Sequence, residues 1–152
     1  MIFREARLED IQAMTTVRES VKENKLSHPS RVTIRDYENY LSERGRGWVC
    51  ESGNRLVGFG IADLVDHNVW ALFVHPWFER MGIGKQLHDA MLNWYFEQTN
   101  TAIWLGTAPG TRAEKFYRKA GWTEVGKHGP TEIKFEMTMQ NWMCRRNTQE
   151  SH

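Results

Sequence analysis

Leu72-Phe73-Val74-His75-Pro76-Trp77-Phe78-Glu79-Arg80-Met81-Gly82-Ile83-Gly84-Lys85-Gln86-Leu87 is the stretch from which the rest of this 152-residue chain is read. Leu72 to Val74 form an apolar run that reads as the end of a buried strand, and Pro76 stops it because proline cannot donate a ladder hydrogen bond. From there on, Ile83, Leu87, Ala90, Met91 and Trp94 recur at helical spacing and predict one apolar stripe over about four turns. Gly82 and Gly84 lack side chains where the first amides of that helix have no internal partner. Those N–H groups and the positive end of the helix dipole suit an anionic phosphate. Many nucleotide sites share this strand, glycine loop and helix, so the local physics says phosphate and no more. An ordinary helix start fits the same two glycines. A Gly-x-x-x-x-Gly-Lys-Ser/Thr loop is absent, and Leu87 stands where a dinucleotide fingerprint needs its third glycine.

Upstream, Ile2 to Ala6 alternates as a first strand, and Leu8-Glu9-Asp10 starts a helix with Ile11, Met14, Val17 and Val21 on its apolar side. Asn24 to Val32 reads as a loop, and Thr33 caps a second helix carrying Ile34, Tyr37, Tyr40 and Leu41, which Gly45 ends. Trp48 to Glu51 and Arg55 to Val65 are strands joined at Ser52-Gly53-Asn54, and Asp66-His67-Asn68 turns the chain into Val69 to Val74. Connections that short require an antiparallel meander. Downstream, the central helix runs to about Gln98 and Ala102 to Thr107 is a short strand, able to lie parallel to Val69–Val74 as a right-handed crossover. Thr111-x-x-Glu114 is a capping-box signature for a helix that Gly121 closes, and Trp122 to Val125 and Glu132 to Met139 are the last strands. The expectation is an α/β fold: a mixed, mostly antiparallel central sheet of about seven strands with about four helices. Residues 1–140 make one domain, and 141–152 a polar, frayed tail.

Composition bounds the function. With 40% apolar and 26% charged residues the chain belongs with globular proteins rather than disordered ones. A net charge of +1 without a basic stripe argues against nucleic acid. The apolar runs are far short of a membrane span, and Met1-Ile2-Phe3-Arg4-Glu5 is not a signal peptide. Cys50 and Cys144 lack metal spacing and suggest reduced thiols in a cytoplasm.

The order Pro76-x-x-x-x-x-Gly82-Ile83-Gly84-x-x-Leu87 after Leu72-Phe73-Val74 resembles the acyl-CoA pyrophosphate loop of the GNAT acyltransferase superfamily, written Gln/Arg-x-x-Gly-x-Gly/Ala. Glu79 stands at its first position, with Arg80 one place on, but contacts from backbone amides need no particular side chain. A second segment, Ala113-Glu114-Lys115-Phe116-Tyr117-Arg118-Lys119-Ala120-Gly121-Trp122, is similar to the family's Ala-x-x-Phe-Tyr-x-x-x-Gly-Phe. Together with Arg4-Glu5-Ala6 through Glu9-Asp10-Ile11, the resemblance covers roughly residues 2 to 139.

The resemblance implies a GNAT-like acyl-CoA N-acyltransferase fold and a direct attack of a primary amine on acetyl-CoA, with no metal. The backbone of Leu72, Phe73 and Val74 would hold the pantetheine arm and the developing oxyanion. The loop of Arg80, Met81, Gly82, Ile83, Gly84 and Lys85 would hold the pyrophosphate, with Arg80 and Lys85 as the credited cations over Lys115 and Lys119. Tyr117 would donate a proton to the departing thiolate, against the plainer reading of a core residue on an apolar helix face. Gly110 replaces an asparagine that many relatives carry, and Asn68 stands where some carry a glutamate base. His75 is the first choice of general base, ahead of Asp63, Asp66 and His67, and a water relay serves equally. The acceptor pocket would involve Arg18, Glu19, His28, Arg31, Trp48, Trp104 and His128, for a small-molecule or peptide amine. A homodimer is permitted. The rivals are a non-catalytic acyl-CoA-binding or sensing domain, and a mononucleotide-binding or interaction domain that merely uses a helix N-terminus.

Overall fold

A computed structural model describes residues 1–21 and 32–150 of the chain, the side chains of 147–150 excepted. The loop expected at Asn24 to Val32, with His28 and Arg31, lies outside the described residues except for Val32. The chain forms two compact units, Met1–Tyr95 and Phe96–His152.

In the first unit the elements are β1 (Ile2–Glu5), a 3-10 turn (Leu8–Asp10), α1 (Ile11–Ser20), α2 (Ile34–Asn39), β2 (Gly45–Ser52), β3 (Arg55–Asp63), β4 (Asn68–Val74) and most of α3 (Ile83–Gln98). The strands lie in the order β1-β2-β3-β4, every neighbouring pair antiparallel; the short connections require this within β2-β3-β4, whereas β1 reaches β2 through the intervening helices. Gly53 and Asn54 take φ of 56° and 65°, the left-handed pair that a tight hairpin between β2 and β3 demands. Ile11, Met14 and Val17 of α1 bury one face with Tyr37, Val49, Phe59, Ile61, Ala71 and Phe73. Ile83 and Leu87 of α3 pack with Cys50 and Val57 in a separate cluster. A Cβ at Gly58 would stand 3.1 Å from Ile83 Cγ2, and one at Gly60 3.0 Å from Met91 Cε, so the bare strand backbone sets how closely α3 seats. That seating fixes the loop before α3.

Several boundaries differ from expectation: α2 passes into a π-helical turn over Tyr40–Arg44, and β3 ends at Asp63 rather than Val65. The first helix proper begins at Ile11, because Leu8–Asp10 is a 3-10 turn in which the Asp10 carboxylate accepts from the Arg7 amide at 2.7 Å. Gly45 opens β2 rather than merely ending the second helix, since β2 pairs with β3 from Gly45 onward. A Cβ at Gly45 would overlap the Ala62 carbonyl oxygen, so glycine here permits a close approach of backbones. Thr33 does cap α2: its hydroxyl accepts from Asp36 N and the Asp36 carboxylate accepts from Thr33 N, a reciprocal box.

The second unit contains the last turn of α3, β5 (Ile103–Thr107), α4 (Arg112–Lys119), β6 (Thr123–His128), β7 (Glu132–Met137) and α5 (Met139–Glu150). Its strands lie in the order β5-β7-β6, both pairs antiparallel. Gly121, at φ 98°, closes α4: its N–H donates to Arg118 O, and the Trp122 N–H donates to Tyr117 O. This is the doubly bonded C-terminal stop that favours glycine. The expected frayed tail is instead α5, a fifth α-helix, because Trp142 is buried and Arg145 donates to the Lys119 carbonyl at 3.1 Å. A polar composition hid an anchor of one tryptophan. Cys50 is buried and Cys144 exposed, both as free thiols. Among the described residues no helix is long and apolar enough to cross a membrane.

Candidate functional site

The loop from β4 to α3 is built from a cap, a reversal and a helix start. His75 is the N-cap of a 3-10 turn over Pro76–Phe78, its Nδ1 accepting the Trp77 amide at 3.1 Å. Arg80 (φ 64°) and Gly82 (φ 80°) are left-handed, and α3 starts at Ile83. Alternating backbone of this kind turns successive amides toward one side, a geometry that receives anions. The first helical bond runs from Gln86 N to Gly82 O, so the amides before Gln86 have no carbonyl within the helix to meet. A Cβ at Gly82 would meet nothing within 4 Å, and one at Gly84 only Val74 Cγ2 at 3.7 Å. Both glycines therefore leave open space beside donor groups, and packing alone does not require Gly84.

The side chains of the loop divide. Ile83 is buried and holds the helix to the strands, while Arg80 and Met81 are exposed. Lys85 is paired with Asp89 at 2.8 Å one turn along, and Asp89 also bonds His88 Nδ1 at 2.9 Å. An exposed pair of this kind holds its geometry by only about 0.3–0.5 kcal/mol, so Lys85 is available to an anion at little cost. Phe73 is buried in the core beneath β4, whereas Leu72 and Val74 are partly exposed.

His75 sits at the end of β4 with the rings of Trp77 and Phe78 edge-on at 5.2 and 6.1 Å. Arg55 Nη2 is 3.2 Å from its Nε2. Burial, and then the Arg55 charge, hold the imidazole below its ordinary value, so it is neutral at neutral pH. Its Nδ1 lone pair is occupied by the Trp77 amide and its Nε2 faces a guanidinium. Arg55, unmarked in the sequence, therefore adds to the effect of burial on His75.

The other acid–base candidates are structural partners in a turn. Asp63 is fully buried and accepts from Arg44 Nη2 at 2.9 Å and from the amides of Val65 and Asp66. Asp66 shares the same guanidinium at 2.8 Å. His67 is left-handed, at φ 59°, with Nδ1 2.9 Å from the Tyr95 hydroxyl. Burial pushes Tyr95 up to about 12. Asn68 Oδ1 is buried without a hydrogen-bond partner among the described residues.

In the second unit, Tyr117 points into the core from the middle of α4, at 7% exposure, with Phe116, Trp122 and Phe135 at centroid distances of 5.2, 5.6 and 6.4 Å. Burial alone drives its phenol far above the ordinary tyrosine range, so it holds its proton throughout the neutral range. Thr111 caps α4 by accepting from Glu114 N at 3.2 Å. The Glu114 carboxylate accepts from Gly110 N at 2.7 Å, one residue earlier than a reciprocal box would have it. Gly110 is left-handed at φ 77°, a conformation an asparagine side chain does not require and glycine adopts freely.

The residues expected around the acceptor form local groups. In the first unit, the Arg18 guanidinium lies over the rings of Phe73 (4.9 Å) and Trp70 (5.7 Å), Glu19 is exposed, and Trp48 contacts Trp94 at 5.6 Å. In the second, Trp104 and His128 pack at 4.9 Å with Lys134 Nζ 5.1 Å above the indole. His28 and Arg31 lie outside the described residues. Tyr37 and Trp70, which the sequence marks only as apolar-face positions, pack edge-on at 5.1 Å beside the Arg18 guanidinium.

Among known proteins, the Acetyltransferase (GNAT) family matches residues 9–122. A GNAT-family acetyltransferase from Staphylococcus aureus Mu50 is similar in structure, with 20% identity over 91% of this chain and 98% of that one and a TM-score of 0.78. PaiA N-acetyltransferase from Thermoplasma acidophilum, solved in complex with coenzyme A, gives 14% identity, 90% and 98% coverage and a TM-score of 0.69. The ribosomal-protein-S18-alanine N-acetyltransferase of Escherichia coli gives 14%, 90% of both chains and 0.70. No curated protein sequence matches the chain.

Proposed function

We propose, from the premise that this chain belongs to the acetyltransferase (GNAT) family, that it transfers an acetyl group from acetyl-CoA to a primary amine by direct attack in a ternary complex. The observation that carries the reading is the loop before α3, where left-handed Arg80 and Gly82 precede a helix start and neither glycine position is filled. Its amides, from Arg80 to Lys85, would hold the pyrophosphate, with the Arg80 and Lys85 side chains adding positive charge. The backbone of Leu72 to Val74 would orient the pantetheine arm and the thioester.

In the transfer, the amine nitrogen bonds to the acetyl carbon, the carbon–sulfur bond breaks, the amine loses a proton and the thiolate gains one. Tyr117, kept protonated by burial, is the proposed donor to sulfur. His75, kept neutral, is the proposed acceptor of the amine proton, directly or through water. Residues 1–140 are taken as the catalytic domain and the cytoplasm as the compartment. Asn68, in place of a carboxylate, favours the second reading of a non-catalytic acyl-CoA-binding domain.

Thermal unfolding with and without acetyl-CoA, with ATP as control, tests the cofactor. At about a hundred times its dissociation constant a ligand adds roughly 2.7 kcal/mol, which raises the midpoint of a domain this size by about 5–10 °C. A rise with acetyl-CoA and none with ATP is expected. Equal rises point to a generic phosphate site, and no rise at saturation removes the acyltransferase reading. Turnover of an amine panel then separates enzyme from sensor.

A further inference from the structure

We infer that Arg18 and Tyr37 form a carboxylate receptor, and that the acceptor is an amine bearing a carboxylate, such as an amino acid or a peptide with an acidic group. This deepens the acyltransferase reading and rests on it for the word acceptor.

Two observations in the first unit carry it. Arg18 Nη1 is buried and has no hydrogen-bond partner among the described residues. The Tyr37 hydroxyl is in the same state, on a side chain that is only 2% exposed. Leaving such donors unpaired is costly, and most native proteins avoid it, so each one asks for a partner that arrives with a ligand. The two share a neighbour. Tyr37 meets the Trp70 ring edge-on at 5.1 Å, and the Arg18 guanidinium lies 5.7 Å over that ring and 4.9 Å over Phe73.

The geometry points to the class of ligand. A guanidinium lying over aromatic rings is held in plane, and its unpartnered Nη1 can donate to one oxygen of a carboxylate. One cation and one neutral hydroxyl balance a single negative charge, which favours a carboxylate over a phosphate dianion. Phe73 belongs to the β4 run proposed to orient the thioester, so the anion would be held one side chain away from the reacting strand. Arg18 is a positioning residue for the amine, acting through the substrate's charge.

The test pairs acids with their neutral twins. Calorimetric titration of the full chain with N-acetylalanine, N-acetylleucine and N-acetylphenylalanine, against the three corresponding carboxamides, reads the receptor without any turnover. At least one acid is expected to bind about tenfold or more tighter than its amide. Arg18→Gln should abolish that difference and leave acetyl-CoA affinity unchanged. Tyr37→Phe, which keeps the ring, should reduce it about threefold. Equal binding of acids and amides, no binding of any acid, or an unchanged preference in Arg18→Gln overturns the proposal. Inorganic phosphate, titrated alongside, should compete weakly; if it binds tighter than every acid, the carboxylate assignment falls. Acid binding without turnover of any amine would leave the receptor standing and remove the enzyme, whereas turnover of neutral amines only would do the reverse.

Discussion

Replacing Tyr117 by phenylalanine separates the two roles that its sequence position permits. The ring packs against Phe116, Trp122 and Phe135 and is 7% exposed, so the substitution keeps nearly all of its buried area and shape. Loss of one buried hydroxyl changes stability by about 0.5–1.5 kcal/mol, or roughly 1–6 °C in the midpoint. Tyr117→Ala would instead open a cavity costing about 3–5 kcal/mol, which makes it a poor kinetic probe. The kinetic effect follows from proton affinities. An ordinary phenol at about 10 giving a proton to a thiol at about 8.5 goes uphill by roughly 2 kcal/mol. Burial raises Tyr117 further and steepens that step. Its main contribution is then a hydrogen bond to the developing sulfur anion, about 1.5–3 kcal/mol for a charged partner. Tyr117→Phe should therefore lower kcat about 10- to 150-fold while CoA affinity, by calorimetry, stays within about twofold. Thiol release followed across pH 6–10 provides the assay, and no loss of kcat from titration of Tyr117 should appear below about pH 10. An unchanged kcat in Tyr117→Phe would make the residue a core aromatic and nothing more.

Other outcomes follow from single residues. Gly84→Ala meets only Val74 Cγ2 at ordinary contact distance, so it should stabilise the ligand-free protein by up to about 1 kcal/mol through helix propensity. The same methyl group should shrink the acetyl-CoA increment in midpoint, and an increment equal to wild type would show that the position faces no ligand. Asp10 is held below the usual carboxylate range, first by its bond to Arg4, so its contribution is complete above about pH 4 and drains away as the pH falls through the native value. Urea unfolding at pH 7 and pH 3 should show Asp10→Asn losing about 1.5–3 kcal/mol relative to wild type at the first and much less at the second, and an equal loss at both would refute the linkage. If His75 is the base, its lowered value keeps it neutral as the pH drops, and the acid limb of kcat/KM should lie below about 6.5. His75→Ala should remove that limb; an identical profile would transfer the role to water.

Much of the scaffold was legible because it is written in local rules. The spacing of Ile83, Leu87 and Met91 marks α3, Thr33 and Thr111 mark two helix starts, and Gly53-Asn54 marks a hairpin; each is decided by residues within a few positions. Within the loop before α3, Gly82 and Gly84 are visible as missing side chains, but the left-handed Arg80 between them and Pro76 is not, since arginine carries no propensity for it. The helix at 139–150 was hidden because its stability comes from Trp142 and from Arg145 on the Lys119 carbonyl, contacts that a polar composition does not announce.

The sequence alone determined the order of strands and helices, the antiparallel meander and the glycine-bearing loop, because periodicity, caps and connection lengths act over short stretches of chain. Tertiary structure decided which titratable groups are available for chemistry. Asp63 and His67 read as candidates until their partners, Arg44 and Tyr95, arrive from 19 positions before and 28 positions after. Arg18 reads as one of several acceptor-pocket candidates and Tyr37 as a helix-face residue until Phe73, Trp70 and burial leave their polar ends without partners among the described residues. Solvation and hydrogen bonding belong to neighbours in space, and no spacing along the chain encodes them.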